Sequence, residues 1–170
     1  MCYNILTQIK GRLWKMESIF NYYESMVGLI EIEEIDGRLR TLRFVDSRNH
    51  SSEETALSKV VCDQLDDYFA GKRISFDVPF AIEGNALQMK VWRTIQHVPY
   101  GETWSYKQLA RSIGLPRSFR AVTSACQDNP IAIMIPSHRV TGSNGPLGGL
   151  VSEAVKKQAL LLHEQEVVEG

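Results

Sequence analysis

Near residue 80 the chain changes its hydrophobic period, and that change confines it to two small packed parts rather than one continuous sheet or bundle. Before it, residues 19–23, 27–33 and 39–45 are short runs rich in aromatic and β-branched side chains. Asp36-Gly37 separates the second run from the third, as a two-residue hairpin turn requires. Ser51-Ser52-Glu53-Glu54 then offers a hydroxyl cap and first-turn acids for a helix. Ala56, Val60, Leu65, Tyr68 and Phe69 recur at roughly helical spacing, and Gly71 is placed to stop it. These features predict a small N-terminal α/β domain over residues 1–80, with residues 1–16 as a loose extension.

Asp77-Val78-Pro79 through Gly84-Asn85 has the composition of a linker, centred on residues 81–86, and the pattern from 87 to 170 is helical. Leu87, Val91, Trp92 and Ile95 share one helical face, and Pro99-Tyr100-Gly101-Glu102 predicts a turn. Thr103 or Ser105 can cap a helix that runs through Leu109 to Ile113 and ends at Gly114 and Pro116. A second short, basic helix is expected from Arg117 to Cys126, closed by Asp128-Asn129-Pro130. Two short helices around a glycine-containing turn describe a helix-turn-helix. The apolar run 131–135 reads as a buried strand, and the class expected for the whole is α+β.

Charge is distributed unevenly. Residues 86–150 hold Lys90, Arg93, Lys107, Arg111, Arg117, Arg120 and Arg139 against Glu102 and Asp128, a net of +5 beside −6 for the rest of the chain. A basic segment beside an acidic remainder is the footprint of a phosphate-binding module. Cys2, Cys62 and Cys126 are odd in number and widely spaced, which reads as reduced thiols rather than a disulfide framework or a zinc site. No metal or other cofactor is expected. No stretch approaches the ~20 apolar residues that span a bilayer, and no secretory signal is apparent. The expected location is cytoplasmic, or nuclear in a eukaryote.

One stretch is far more specific. Val91-Trp92, Val98 through Thr103, Ser105-Tyr106, Leu109-Ala110, Arg120-Ala121-Val122, Asn129-Pro130 and Ile135-Pro136-Ser137-His138-Arg139-Val140 occur in order, and Lys157, Leu160-Leu161 and His163-Glu164 follow. This pattern resembles the O6-alkylguanine-DNA alkyltransferases, also called methylated-DNA–protein-cysteine methyltransferases, over roughly residues 86 to 166. The resemblance implies an N-terminal ribonuclease H-like domain and a C-terminal winged helix-turn-helix-like domain. It also implies a monomer that binds double-stranded DNA in the minor groove and rotates an alkylated guanine out of the stack.

The residue at Tyr106 would push the nucleotide out and the residue at Arg120 would fill the gap, its flat guanidinium both stacking and hydrogen-bonding. Ser105, Phe119, Ala121, Thr123 and Arg139 complete the implied DNA-contacting set. Tyr106, Val140, Leu150, Val151 and Trp92 form the implied substrate pocket. At the acceptor position the family carries cysteine, with His138, Glu164 and Asn129 as its support.

This chain has Ser137 there. A hydroxyl is far less acidic than a thiol, and displacement at an sp³ carbon forms no oxyanion for a site to stabilise. No self-alkylation is therefore expected. Two further departures accompany it. Gly149-Leu150-Val151-Ser152-Glu153 replaces a tyrosine- and glycine-rich family loop, and Phe119 and Thr123 stand where alanine and glycine are common. Bulk at those helix positions would weaken DNA binding, or Phe119 would wedge between bases. Cys126 is expected to be a packing residue rather than a surrogate acceptor. Three functions stay open: a lesion-binding protein that recruits excision-repair proteins, resembling the alkyltransferase-like proteins; a transferase whose acceptor cysteine was replaced; or a fold-only DNA-binding regulator.

Overall fold

Three antiparallel strands form where the aromatic and β-branched runs predict them: β1 (Ile19–Ser25), β2 (Gly28–Ile35) and β3 (Arg38–Phe44), in sheet order β1-β2-β3. The computed structural model describes residues 17–142 and 151–170, so the extension over residues 1–16 lies outside the described residues. Ile35 pairs with Arg38 across the β2–β3 turn, and Asp36 and Gly37 take φ of 49° and 68°. Positive φ at both central residues is the turn whose twist matches the flanking strands, which is why Asp-Gly occupies it.

Helix α1 (Ala56–Phe69) packs on the sheet, but its cap is not the Ser51–Glu54 cluster that the sequence suggests. Thr55 Oγ1 accepts from the Ser58 N–H, and Ser58 Oγ in turn accepts the Thr55 N–H. The signal is present one residue later, as a capping box closed by a serine rather than the usual Glu or Gln. Ile30, Ile32, Leu39 and Leu42 of the sheet and Val61, Leu65 and Tyr68 of α1 are essentially inaccessible to solvent. Each such side chain contributes roughly 1.5–3 kcal/mol by leaving water.

The expected linker is not free-running. Leu39 N–H donates to Pro79 O and Ala81 N–H to Leu39 O, both within 2.9 Å, so the chain lies along β3 before turning away. Asn85 then caps α2 (Ala86–Ile95) in a capping box with Gln88. Helices α3 (Tyr106–Ser112) and α4 (Phe119–Gln127) follow as the expected helix pair, with Ser105 capping α3 through Gln108. Their apolar faces (Leu109, Ala110, Ile113, Val122, Ala125) close over Val91, Trp92 and Ile95 of α2.

Residues 131–135 do not form the predicted strand. Leu42 N–H donates to Pro130 O and Ala132 N–H to Leu42 O, making one bridge to β3, and the chain then turns sharply at Ile133, φ 69°. A β-branched residue in the left-handed region costs about 1–3 kcal/mol. It is held there by burial of Ile131, Ile133 and Ile135 and by the Ile135 N–H to Ile131 O hydrogen bond. The turn joins the two halves into one apolar cluster and delivers the next residues, a 3₁₀ turn over Ser137–Arg139. Strand β5 (Val140–Thr141) then pairs in parallel with β4 (Trp104–Ser105), and α5 (Val151–Glu169) packs across the 3₁₀ turn.

Candidate functional site

Ser137, His138 and Arg139 are buried on the 3₁₀ turn, an unusual density of polar side chains for a core position. Asn129 braces the turn with three hydrogen bonds. Its amide donates to Ile135 O (2.7 Å) and Ser137 Oγ (3.1 Å), and its Oδ1 accepts the Ile131 N–H (3.0 Å). The side chain that pins the approach to Ser137 therefore also holds its hydroxyl in place.

Glu164, on α5 and wholly buried, gathers the remaining polar groups. It accepts from Tyr68 Oη of α1 (2.8 Å), from His138 Nε2 (2.6 Å), from Arg139 Nε and Nη2 (2.8 and 2.9 Å) and from the Gly101 N–H (3.0 Å). Gly101 has φ 74°, and a Cβ there would press within 3.1 Å of Val168 Cγ2, so glycine is what brings the 99–102 turn against α5.

Burial alone would raise the Glu164 carboxyl, but the hydrogen bonds from His138 and Arg139 outweigh it and hold the group at about 2. Burial lowers His138, and the nearby Arg139 and Lys157 cations reinforce that against the opposing pull of Glu164. The bidentate guanidinium suffices to keep Glu164 ionised, so we take His138 as neutral near pH 7. A carboxylate can only accept, so Nε2 carries the imidazole proton and the Nδ1 lone pair is left as the acceptor.

Beside Ser137 opens a cavity of about 250 Å³, lined among the described residues by Arg43, Phe44, Gln127, Asn129, Glu153, Lys156, Lys157 and Leu160 as well as Ser137. A larger hollow of about 470 Å³ lies at the β2–β3 turn, between Arg38, Arg40 and Glu83, with no hydroxyl, thiol or imidazole among its described lining residues. Of the two, the smaller is the one that Ser137 lines.

Four side chains assigned from the sequence sit elsewhere: Arg139, and the expected pocket residues Trp92, Tyr106 and Val140, none of which lines the cavity. Arg139 is buried rather than presented to solvent: its guanidinium is bound by Glu164 and by Val98 O (2.8 Å), and it lies over the Tyr100 ring. Trp92 does not line the cavity. It is buried beneath α4, with its indole N–H donated to Ala125 O at 2.8 Å. Val140 is buried in the β4–β5 pair, opposite Trp104. Leu150 and Gly149 lie outside the described residues, and Val151 begins α5.

Along α4, Phe119, Arg120 and Ala121 are exposed and Thr123 is half-buried, its hydroxyl donated to Phe119 O. Tyr106 opens α3 immediately after the Ser105 cap, so the β4–β5 pair ties it to the segment after Ser137. Its ring is buried against Phe119, and its hydroxyl meets the Cys126 thiol. Burial pushes that thiol up to about 11, against the opposing pulls of Lys157 and Tyr106, and so keeps it protonated. The sequence pattern does not reveal the contributions of Tyr68, Gly101 and Lys156. Tyr68 and Gly101 reach Glu164 from remote parts of the chain, and no local signal announces that.

Comparison with known proteins gives this arrangement a lineage. The family model described as 6-O-methylguanine DNA methyltransferase, ribonuclease-like domain, matches residues 19–82, and that of the DNA binding domain matches residues 86–166. A methylated-DNA–protein-cysteine methyltransferase of Mycolicibacterium paratuberculosis is 40% identical over 147 residues, covering 84% of this chain and 89% of its own. The protein of that name from Methanosarcina barkeri is also 40% identical, over 86% of this chain and 96% of its own. The crystal structure of the Mycobacterium tuberculosis O6-methylguanine methyltransferase superposes with a TM-score of 0.81 at 34% identity, over 88% of this chain and 94% of the other. The same enzyme in complex with DNA gives 0.78 at 37% identity, over 87% and 93%. Two family domains in sequence order, and a shared fold across nearly the whole length of these relatives, make this chain a member of the 6-O-methylguanine DNA methyltransferase family.

Proposed function

We propose that this chain binds duplex DNA through α3 and α4, rotates an O6-alkylated guanine into the cavity beside Ser137, and holds it there without taking the alkyl group. The observation that carries this reading is a buried serine hydroxyl at the rim of a cavity, held by Asn129 and followed by a His138 that ionised Glu164 orients. Transfer would require the nucleophile to form a bond to the alkyl carbon as the bond from that carbon to guanine O6 breaks, while its own proton departs. A thiol gives up that proton readily with a neutral imidazole beside it, and a hydroxyl does not.

Entry is through the minor groove, where exposed Arg120 takes the place of the departed nucleotide and Tyr106 displaces it. Ser105, Ala121 and Thr123 lie along the groove. The protein acts as a monomer, and the held lesion is a mark for excision-repair proteins. Binding titrations on duplexes with and without O6-methylguanine test the recognition. Tighter binding to the damaged duplex, falling steeply with salt, is the expected result, and equal affinity removes lesion recognition.

The intact support around Ser137 also favours a second reading, a transferase whose acceptor cysteine alone was exchanged for serine. Intact-mass spectrometry of the Ser137→Cys variant, after incubation with methylated oligonucleotide, weighs the two. Transfer as fast and complete as that of an active relative favours the second reading; slow or partial transfer favours divergence of the whole site, including the loop at residues 149–153.

A further inference from the structure

Among the described residues Phe119 is the only phenylalanine, tyrosine or tryptophan that is exposed, at 40% of its surface. It is the first residue of α4, directly before exposed Arg120, and its ring stands edge-on to Tyr106 with centroids 6.1 Å apart at 87°. Contact with Tyr106 covers one side, and part of the side chain stays open to solvent. The Thr123 hydroxyl bound to Phe119 O at 2.9 Å anchors the backbone that carries it. An apolar ring partly immobilised by its neighbours loses little freedom when a partner covers its open side. The partner that fits is a flat, apolar surface bordered by phosphates, because the adjoining cation is Arg120 and the helix pair lies in the basic part of the chain.

We propose that Phe119 is a second stacking residue: it lies against the base laid bare when the alkylated guanine leaves the helix, next to the Arg120 guanidinium that fills the gap. This rests on the lesion-binding reading and assigns it a specificity-determining residue. Phe119 thus serves as a platform that strengthens binding only after the nucleotide has turned out, and so favours duplexes in which turning out is easy.

The test is fluorescence anisotropy of labelled duplexes, with and without O6-methylguanine, against wild-type protein and Phe119→Tyr, Phe119→Leu and Phe119→Ala. Phe119→Leu keeps apolar cover over Tyr106 but lacks a π-face, so it separates stacking from packing, and a thermal melt of each variant confirms folding. We expect Phe119→Tyr to bind within about twofold of wild type, while Phe119→Leu and Phe119→Ala lose about tenfold on the damaged duplex, the size of one base–aromatic stack. The loss on undamaged DNA is smaller, and the salt dependence is unchanged because no phosphate contact is removed. Phe119→Leu or Phe119→Ala binding the damaged duplex as tightly as wild type, or more tightly, overturns the proposal; so does an equal loss on both duplexes. Wild-type protein that fails to distinguish the duplexes removes the lesion-binding reading and this one with it, whereas discrimination without any effect at Phe119 removes this one alone.

Discussion

Replacing Glu164 with glutamine keeps the shape of the side chain and removes its charge, which strands the donors gathered around it. Five donor contacts converge on the carboxylate: one from Tyr68, one from His138, two from Arg139 and one from Gly101. An amide offers one oxygen and one NH₂ in their place. Whichever way it turns, a donor group faces at least two donors, and Arg139, only 6% exposed, becomes a buried cation without a counter-charge, left with Val98 O and the one amide oxygen as acceptors. Breaking a buried pair from one side costs about 3–5 kcal/mol. For a chain of this length that is a fall in Tm of roughly 6 to 20 °C, measurable by calorimetry or by urea titration monitored through tryptophan fluorescence. Arg139→Met alone should cost a comparable amount, and the Glu164→Gln/Arg139→Met double variant much less than the two single losses together, since no lone charge is left inside. A Glu164→Gln variant within about 1 kcal/mol of wild type, or strict additivity in the double variant, refutes the view that these groups form one buried unit.

Wild-type protein should gain no methyl mass from an O6-methylguanine oligonucleotide, whereas Ser137→Cys should gain it slowly or in part, as read by intact-mass spectrometry; a methyl on Ser137 itself refutes the inertness assigned to its hydroxyl. Asn129→Ala should destabilise by about 2–4 kcal/mol, the sum of three modest hydrogen bonds partly left unpaired, and should lower lesion affinity more than affinity for undamaged DNA, because the turn carrying Ser137 loses its brace. Stability should fall with acid in two steps. Folded His138 resists the proton that the unfolded chain accepts near 6.5, so stability declines as pH drops through that value; Glu164, held at about 2 against 4.5 unfolded, adds a second decline as pH falls from 4.5 towards 2. Melting temperatures across roughly pH 8 to 4 for wild type and His138→Gln check the first step, which the variant should lack.

Much of this molecule is written locally. The Asp36-Gly37 hairpin, the Gly71 stop and the Ser105 cap each arise from a few adjacent residues whose conformational needs are strict, and the structure places them as expected. Departures arise where distant segments decide. Residues 131–135 have the composition of a strand, yet one bridge to Leu42 and the bracing side chain of Asn129 bend them into a turn. Arg139 has the sequence neighbourhood of a DNA contact, but a carboxylate 25 residues away claims it. Trp92 likewise goes with the helix that needs its indole N–H at Ala125 O. Local patterns therefore located Ser137, His138 and Glu164 through resemblance, while the direction in which each side chain points depended on packing between elements.

Glu164 ties together segments that lie far apart in the sequence, so its polar cluster is complete only once all of them have docked. The hydrogen bond from Tyr68 to Glu164 spans 96 residues, and those from Gly101, His138 and Arg139 join segments well before it. Until α5 has docked, the imidazole has no carboxylate to set its tautomer and the guanidinium has no counter-ion. No single segment of the chain holds these charges by itself, so a partly folded chain exposes them to water instead of to one another.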